Sequence, residues 1–183
     1  MRFLSITLLA VLTFSISASA QKYYSEDGSV VFKSKVPLHN FEGSSQNLVG
    51  LINLDEAILD FYLDLETLDT GNGKRDKDMR STLKTDDYPF AEFYGILDSS
   101  FDINNPDPQP ATAKGTFQIH GEKQEVEIEG TLQLTEDGLL LKAGWILNLD
   151  DYKIKPPRLL LIKVDEKQEI EIETLLTPYT EDQ

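Results

Sequence analysis

Apolar and polar residues alternate along most of this chain, the period-2 signature of β-strands with one buried face. From Ala57 to Leu65, the residues Ala57, Leu59, Phe61, Leu63 and Leu65 share one face, and Asp60, Tyr62, Asp64 and Glu66 take the other. Val126, Ile128, Gly130, Leu132 and Leu134 repeat the scheme against Glu125, Glu127, Glu129, Thr131 and Gln133, as do Ile170 and Ile172 against Glu169, Glu171 and Glu173. Glutamate is a poor strand former, so the apolar face must drive the pairing and the acidic face must meet water.

Similar patterning predicts strands near Ser29 to Val36, Gln46 to Asn53, Ala91 to Asp98, Ala113 to His120, Leu139 to Leu149 and Leu159 to Val164. About eight or nine antiparallel strands joined by short turns suit closure into a barrel, either filled by side chains or holding one ligand. Glycines on the core side, at Gly50, Gly95, Gly115, Gly130 and Gly144, mark bulges, bends or close approach. One short helix is expected from an Asp76 N-cap to Lys84, with Met79 and Leu83 one turn apart and Asp76 paired with Arg80. The proline-rich run from Asp98 to Ala111 reads as a surface loop.

Five fragments in order carry a resemblance: Asp69-Thr70-Gly71-Asn72; Arg75-Asp76 with Met79-Arg80; Tyr88-Pro89; Phe93; and Gly115-x-Phe117-x-Ile119-His120-Gly121. In these pieces, and over about Phe32 to Ile172, the chain resembles the YceI family. That resemblance implies an all-β fold: an extended, antiparallel, lipocalin-like barrel of about eight strands. It also implies a long apolar ligand in the pore, a polyisoprenoid or a similar amphiphile. The chain departs from the family at Asp78, where a histidine is common.

The first 20 residues read as a cleavable leader. Arg2 is the positive end, Phe3 to Ile16 is mostly apolar, and Ala18-Ser19-Ala20 is a small-x-small cleavage site. The apolar stretch falls short of the ~20 residues of a spanning helix, and residue 21 is Gln, not a lipid-accepting Cys. The expectation is a periplasmic or secreted protein with no stable membrane insertion. Its mature part would be one domain over residues 21–183, long enough to bury roughly 70% of its unfolded surface. Removing Arg2 leaves 16 basic against 32 acidic residues, a formal charge of −16. Such a surface repels phosphate backbones, which excludes nucleic acid as a partner. With no cysteine in the chain, stability must come from burial and hydrogen bonding.

Catalytic and cofactor motifs are missing. Gly71-Asn72-Gly73-Lys74 is not a phosphate loop, because Leu68 and Arg75 stand where Gly and Ser or Thr are needed. It is not a calcium loop either, with Lys74 at its sixth place and Arg80 at its twelfth; a tight turn with positive φ at its glycines remains. The histidines, His39 and His120, are too few for a typical three-histidine metal site. No G-x-S-x-G elbow or cysteine nucleophile occurs. Neither an enzyme nor a cofactor is therefore expected.

The interior set is Phe32, Phe41, Leu59, Phe61, Leu63, Phe93, Phe117, Ile119, Val126, Ile128, Trp145, Leu147 and Ile162, ordinary core or the wall of a pore. Arg75, Arg80 and His120 are the candidates for contact with a polar head. Burying ~8 methylenes at ~0.8 kcal/mol each contributes about 6 kcal/mol before ordering costs, enough for a tail to dominate binding. The expected function is an exported, non-enzymatic binder or carrier of a polyisoprenoid, isoprenoid quinone or fatty-acid derivative. Two alternatives stay open: an enzyme acting on such a lipid through an unrecognised site, and a filled barrel serving as an interaction module. The oligomeric state is open as well, a homodimer included.

Overall fold

The computed structural model describes residues 21–35, 40–156 and 165–179, with the backbone of 158–159 and 162–163. The expected leader, His39 and the side chain of Ile162 lie outside the described residues. The strands are β1 (Lys22–Ser34), β2 (Phe41–Asn53), β3 (Ile58–Asp64), β4 (Phe90–Leu97), β5 (Gln109–Ile119), β6 (Glu122–Leu134), β7 (Leu139–Asn148), β8 (Arg158–Leu159), β9 (Ile162–Lys163) and β10 (Lys167–Pro178). Eight of them close a barrel in which β1 to β7 follow one another and β10 joins β7 to β1. Every neighbouring pair is antiparallel. The lipocalin-like, all-β expectation is met, with one α-helix among the described residues.

Alternation does the sorting that the sequence predicts. Along β3, Leu59, Phe61 and Leu63 are buried while Asp60 and Tyr62 are exposed. Glu125, Glu127 and Glu129 of β6 face water, and cross-strand cations meet part of the acidic face, as in Lys142 and Glu173 at 3.1 Å. In β1 and β2 the register shifts between Ser25 and Gly28 and again before Val30. The shift changes which parity faces inward: Tyr23 and Ser25 are buried before it, Gly28 and Val30 after it.

Several details differ from expectation. The Leu159 to Val164 segment is not a barrel strand: its described backbone pairs β8 with β9 apart from the barrel. Ala57 lies in the β2–β3 turn with φ of 55°, and Leu65 begins a 3-10 turn, Leu65–Thr67, so that strand is shorter at both ends. β5 begins at Gln109, inside the expected loop. The helix α1 (Gly73–Leu83) starts before Asp76, because Asn72 is its N-cap and its Oδ1 accepts from the amides of Lys74 and Arg75. Of the two glycines in that turn, Gly71 has positive φ and Gly73 is already helical.

One end of the barrel is sealed. Ile52, Leu132, Leu139 and Leu176 are almost completely buried, and the register sets them together, with Leu139 opposite Leu176 and Leu132 opposite Leu141. α1 and the β5–β6 turn sit at the other end. That turn is His120–Gly121, both with positive φ (57° and 77°), the conformation of a two-residue type I′ hairpin. Among the described residues, no helix is long and apolar enough to cross a membrane.

Candidate ligand-binding pore

Between α1 and the sealed end, the barrel encloses a cavity of about 390 Å³. Its wall is built strand by strand from the inward positions: Phe32 on β1, Phe61 and Leu63 on β3, Phe93 on β4, Phe117 and Ile119 on β5, Ile128 on β6, Trp145 and Leu147 on β7. All nine belong to the set proposed from alternation, and the barrel is not filled by its own side chains. Leu59 instead lines a separate void of about 40 Å³ nearer the sealed end. Val126 packs against the core but lines neither space.

The cavity has a floor. Phe61, Phe93, Ile128 and Ile172 line both it and the smaller void, so they form a waist across the pore. Phe61 and Phe93 are direct register partners on adjacent strands. The Phe61 ring packs over Gly50 of β2: a Cβ on Gly50 would sit 2.1 Å from it. Above the waist, the ring of Phe117 meets those of Trp145 and Tyr152 edge-on, each at 5.7 Å between centroids. The indole N–H of Trp145 meets no acceptor in the wall.

The polar groups of the lining cluster at one end, where α1 supplies Lys74, Arg75, Asp78 and Thr82 and the preceding turn supplies Asn72. Met79 and Leu83 of the same helix face the cavity as its apolar roof. Arg75 donates to the Thr70 carbonyl at 3.3 Å and lies over the Phe41 ring at 4.8 Å. Lys74 and Asp78 form an exposed i, i+4 pair at 3.4 Å, and the Thr82 hydroxyl donates to the Asp78 carbonyl.

Arg80 and His120, the other two polar candidates, stand apart from the cavity. Arg80 is turned toward the 3-10 turn, donating to the Glu66 carbonyl at 2.8 Å and facing its carboxylate at 3.2 Å, in place of the expected Asp76 pairing. His120 Nδ1 lies 3.1 Å from the Tyr152 carbonyl; a carbonyl only accepts, so Nδ1 carries the proton. The Tyr88 ring packs beside His120 at 5.7 Å and over Gly121, where a Cβ would meet it at 2.5 Å. Both residues tie loops together at the α1 end.

Asp76 is the anchor of that end. Its buried carboxylate accepts from the Thr70 hydroxyl at 2.6 Å and the Thr70 amide at 2.9 Å. The Thr70 hydroxyl above all, then its amide and the charges of Arg80 and Arg75, hold this carboxyl below the usual carboxylate range, against the opposing effect of burial. A depressed folded pKa makes its stabilisation complete above the unfolded value and lost as pH falls through the folded one. Asp76→Asn is therefore expected to flatten the loss of stability between about pH 5 and pH 2, measured as the urea midpoint at each pH. An unchanged slope would remove Asp76 from the acid response.

Several lining residues escaped the sequence reading. Leu68, Leu149, Ile154 and Pro156 reach the cavity from turns, where no period marks an inward position. Gln168 lines it from β10, buried, with its amide donating to the Asp165 carbonyl at 2.6 Å. Ile170 and Ile172 were legible as inward residues of a strand, yet only closure of the barrel places them on the cavity.

Over residues 23–176 the sequence matches the family described as YceI-like domain. Among solved structures, a polyisoprenoid binding domain from Saccharophagus degradans, implicated in plant cell wall breakdown, is similar with a TM-score of 0.75 at 14% identity, covering 87% of this chain and 99% of that one. Burkholderia cenocepacia BcnA is similar with a TM-score of 0.66 at 13% identity, covering 80% and 94%. None of the curated proteins matches the sequence. The family match covers nearly all of the eight barrel strands, the helix and the whole described cavity wall, and on that ground the chain belongs to the YceI-like domain family.

Proposed function

We propose that this protein is an exported, non-enzymatic binder or carrier of an amphiphile with a long apolar tail, either an isoprenoid or an acyl lipid. The observation that carries the reading is the blind apolar cavity of about 390 Å³ with its charged groups gathered at one end. Apolar clefts with a few convergent polar groups are the usual form of a lipid site. The fold likeness to a polyisoprenoid binding domain supports the same class of ligand. The tail lies along the barrel axis and the head stays near Arg75, whose remaining N–H groups are free to meet an anion or a carbonyl. The Ala18-Ser19-Ala20 boundary supports export. A binding role is favoured over catalysis because the Thr82 hydroxyl on the lining is already spent on the Asp78 carbonyl, leaving no hydroxyl nucleophile with a base beside it among the described lining residues, and the Lys74 amine is exposed and ion-paired with Asp78.

Mass spectrometry of solvent extracts from purified protein tests the reading, with apo protein then titrated against acidic and neutral lipids of equal tail length. A co-purifying amphiphile and uptake of both lipids are expected. Arg75→Ala should weaken the acidic lipid by about 1.5 to 3 kcal/mol, the value of a charge-assisted hydrogen bond, and leave the neutral one nearly unchanged. Extracts without lipid, together with no uptake by the apo protein, would remove the carrier reading.

A further inference from the structure

We propose that the waist formed by Phe61 and Phe93 is a tail-length ruler, which makes this pore selective for single chains of about fifteen carbons. The inference rests on the reading of the cavity as a lipid site and adds what sets its specificity. A dry cavity of about 150 Å³ holds one benzene, so by proportion the 390 Å³ above the waist takes about 15 non-hydrogen atoms. That is three isoprene units or a medium-long acyl chain. Much longer tails must either force the waist apart or leave carbons outside the pore.

The waist is built to stop a chain yet has space behind it. Phe61 and Phe93 lie side by side across the β3–β4 pairing, and behind them lies the void of about 40 Å³. Small residues Ala111 and Ala113 line that void, and Leu132 closes it. The position of the Phe61 ring is set by Gly50, whose missing side chain leaves the wall free for it. The two positions therefore act in opposite senses. Removing the ring joins cavity and void, whereas a Cβ at Gly50 drives the ring into the pore.

The test titrates apo protein with straight-chain fatty acids of about 10 to about 24 carbons. In the native protein, affinity should rise roughly fourfold with each methylene and level off near 15 carbons. Phe61→Ala should move the break longer by roughly six carbons, the size of the ring removed, and Gly50→Ala should move it shorter. Should Phe61→Ala not fold, Phe61→Leu carries the same test, with a smaller shift in the same direction. Ala113→Leu, which fills the void behind the waist, should leave the native break in place and, combined with Phe61→Ala, bring the break back toward it. A break at one length in all variants, or affinity still rising at the longest chain in the native protein, would overturn the ruler and leave the carrier reading standing. No binding at any length would overturn both.

Discussion

Leu176→Ala is expected to lower the free energy of unfolding by about 3 to 5 kcal/mol, the upper range for a large-to-small change at a site that cannot collapse. Leu176 is completely buried in the sealed end of the barrel, opposite Leu139, which is also completely buried. Its surroundings cannot close over the lost volume. The wall is a continuous ladder of backbone pairs, and the Gly138 turn sits so close that a Cβ there would lie 2.3 Å from the Leu176 carbonyl oxygen. A urea midpoint that falls at constant m-value measures the effect. Tail-length preference should stay as in the native protein, because this end lies beyond the waist. A loss under about 1 kcal/mol would mean that the end is not tightly packed.

Phe117→Ala is the second large effect, about 3 kcal/mol, the low end for a buried phenylalanine. The two edge-on ring contacts, to Trp145 and Tyr152, contribute about 0.5 to 1.5 kcal/mol each beyond area burial. Phe117 lines an existing cavity, so part of its surface has no partner to lose, which keeps the value below that of a fully enclosed ring. Trp145 is the one tryptophan of the chain and touches the deleted ring. Its emission therefore reports the change directly, and a red shift is expected as the space around the indole becomes wetter. Unchanged emission together with native stability would remove Phe117 from the wall.

Much of the barrel was legible because one interaction dominates it. Where a strand alternates cleanly, as in Leu59-Phe61-Leu63 or Ile128-Gly130-Leu132, the apolar parity names the inward residues without further knowledge. The first two strands are longer than alternation predicts, for a specific reason. Their bulges change parity between Ser25 and Gly28, so a window spanning the bulge shows no single period, and the pattern becomes visible only from Ser29 onward. The helix boundary failed differently. Asp76 and Asn72 are both good cap residues, and only the folded turn reveals that Asp76 is already engaged by Thr70, which leaves the cap to Asn72. The polar end of the pore was the least legible. Arg75 and Arg80 look equivalent in sequence, yet they leave α1 on different sides, one to the cavity and one to Glu66.

Closure of the barrel by its first and last described strands has a kinetic consequence. Val30 pairs with Ile172 and Phe32 with Ile170, so the final seam joins segments with nearly the whole domain between them. Pairings so distant in sequence lose the most chain entropy on forming and place the fold among slow folders. Among the described strands β1 is made first and has to wait for β10, which is made last. Throughout that interval two strand edges with unpaired amides and carbonyls are open to other chains, the condition under which sheets pair with the wrong partner. Closing this seam is therefore the step of folding in which the chain is most exposed to wrong pairing.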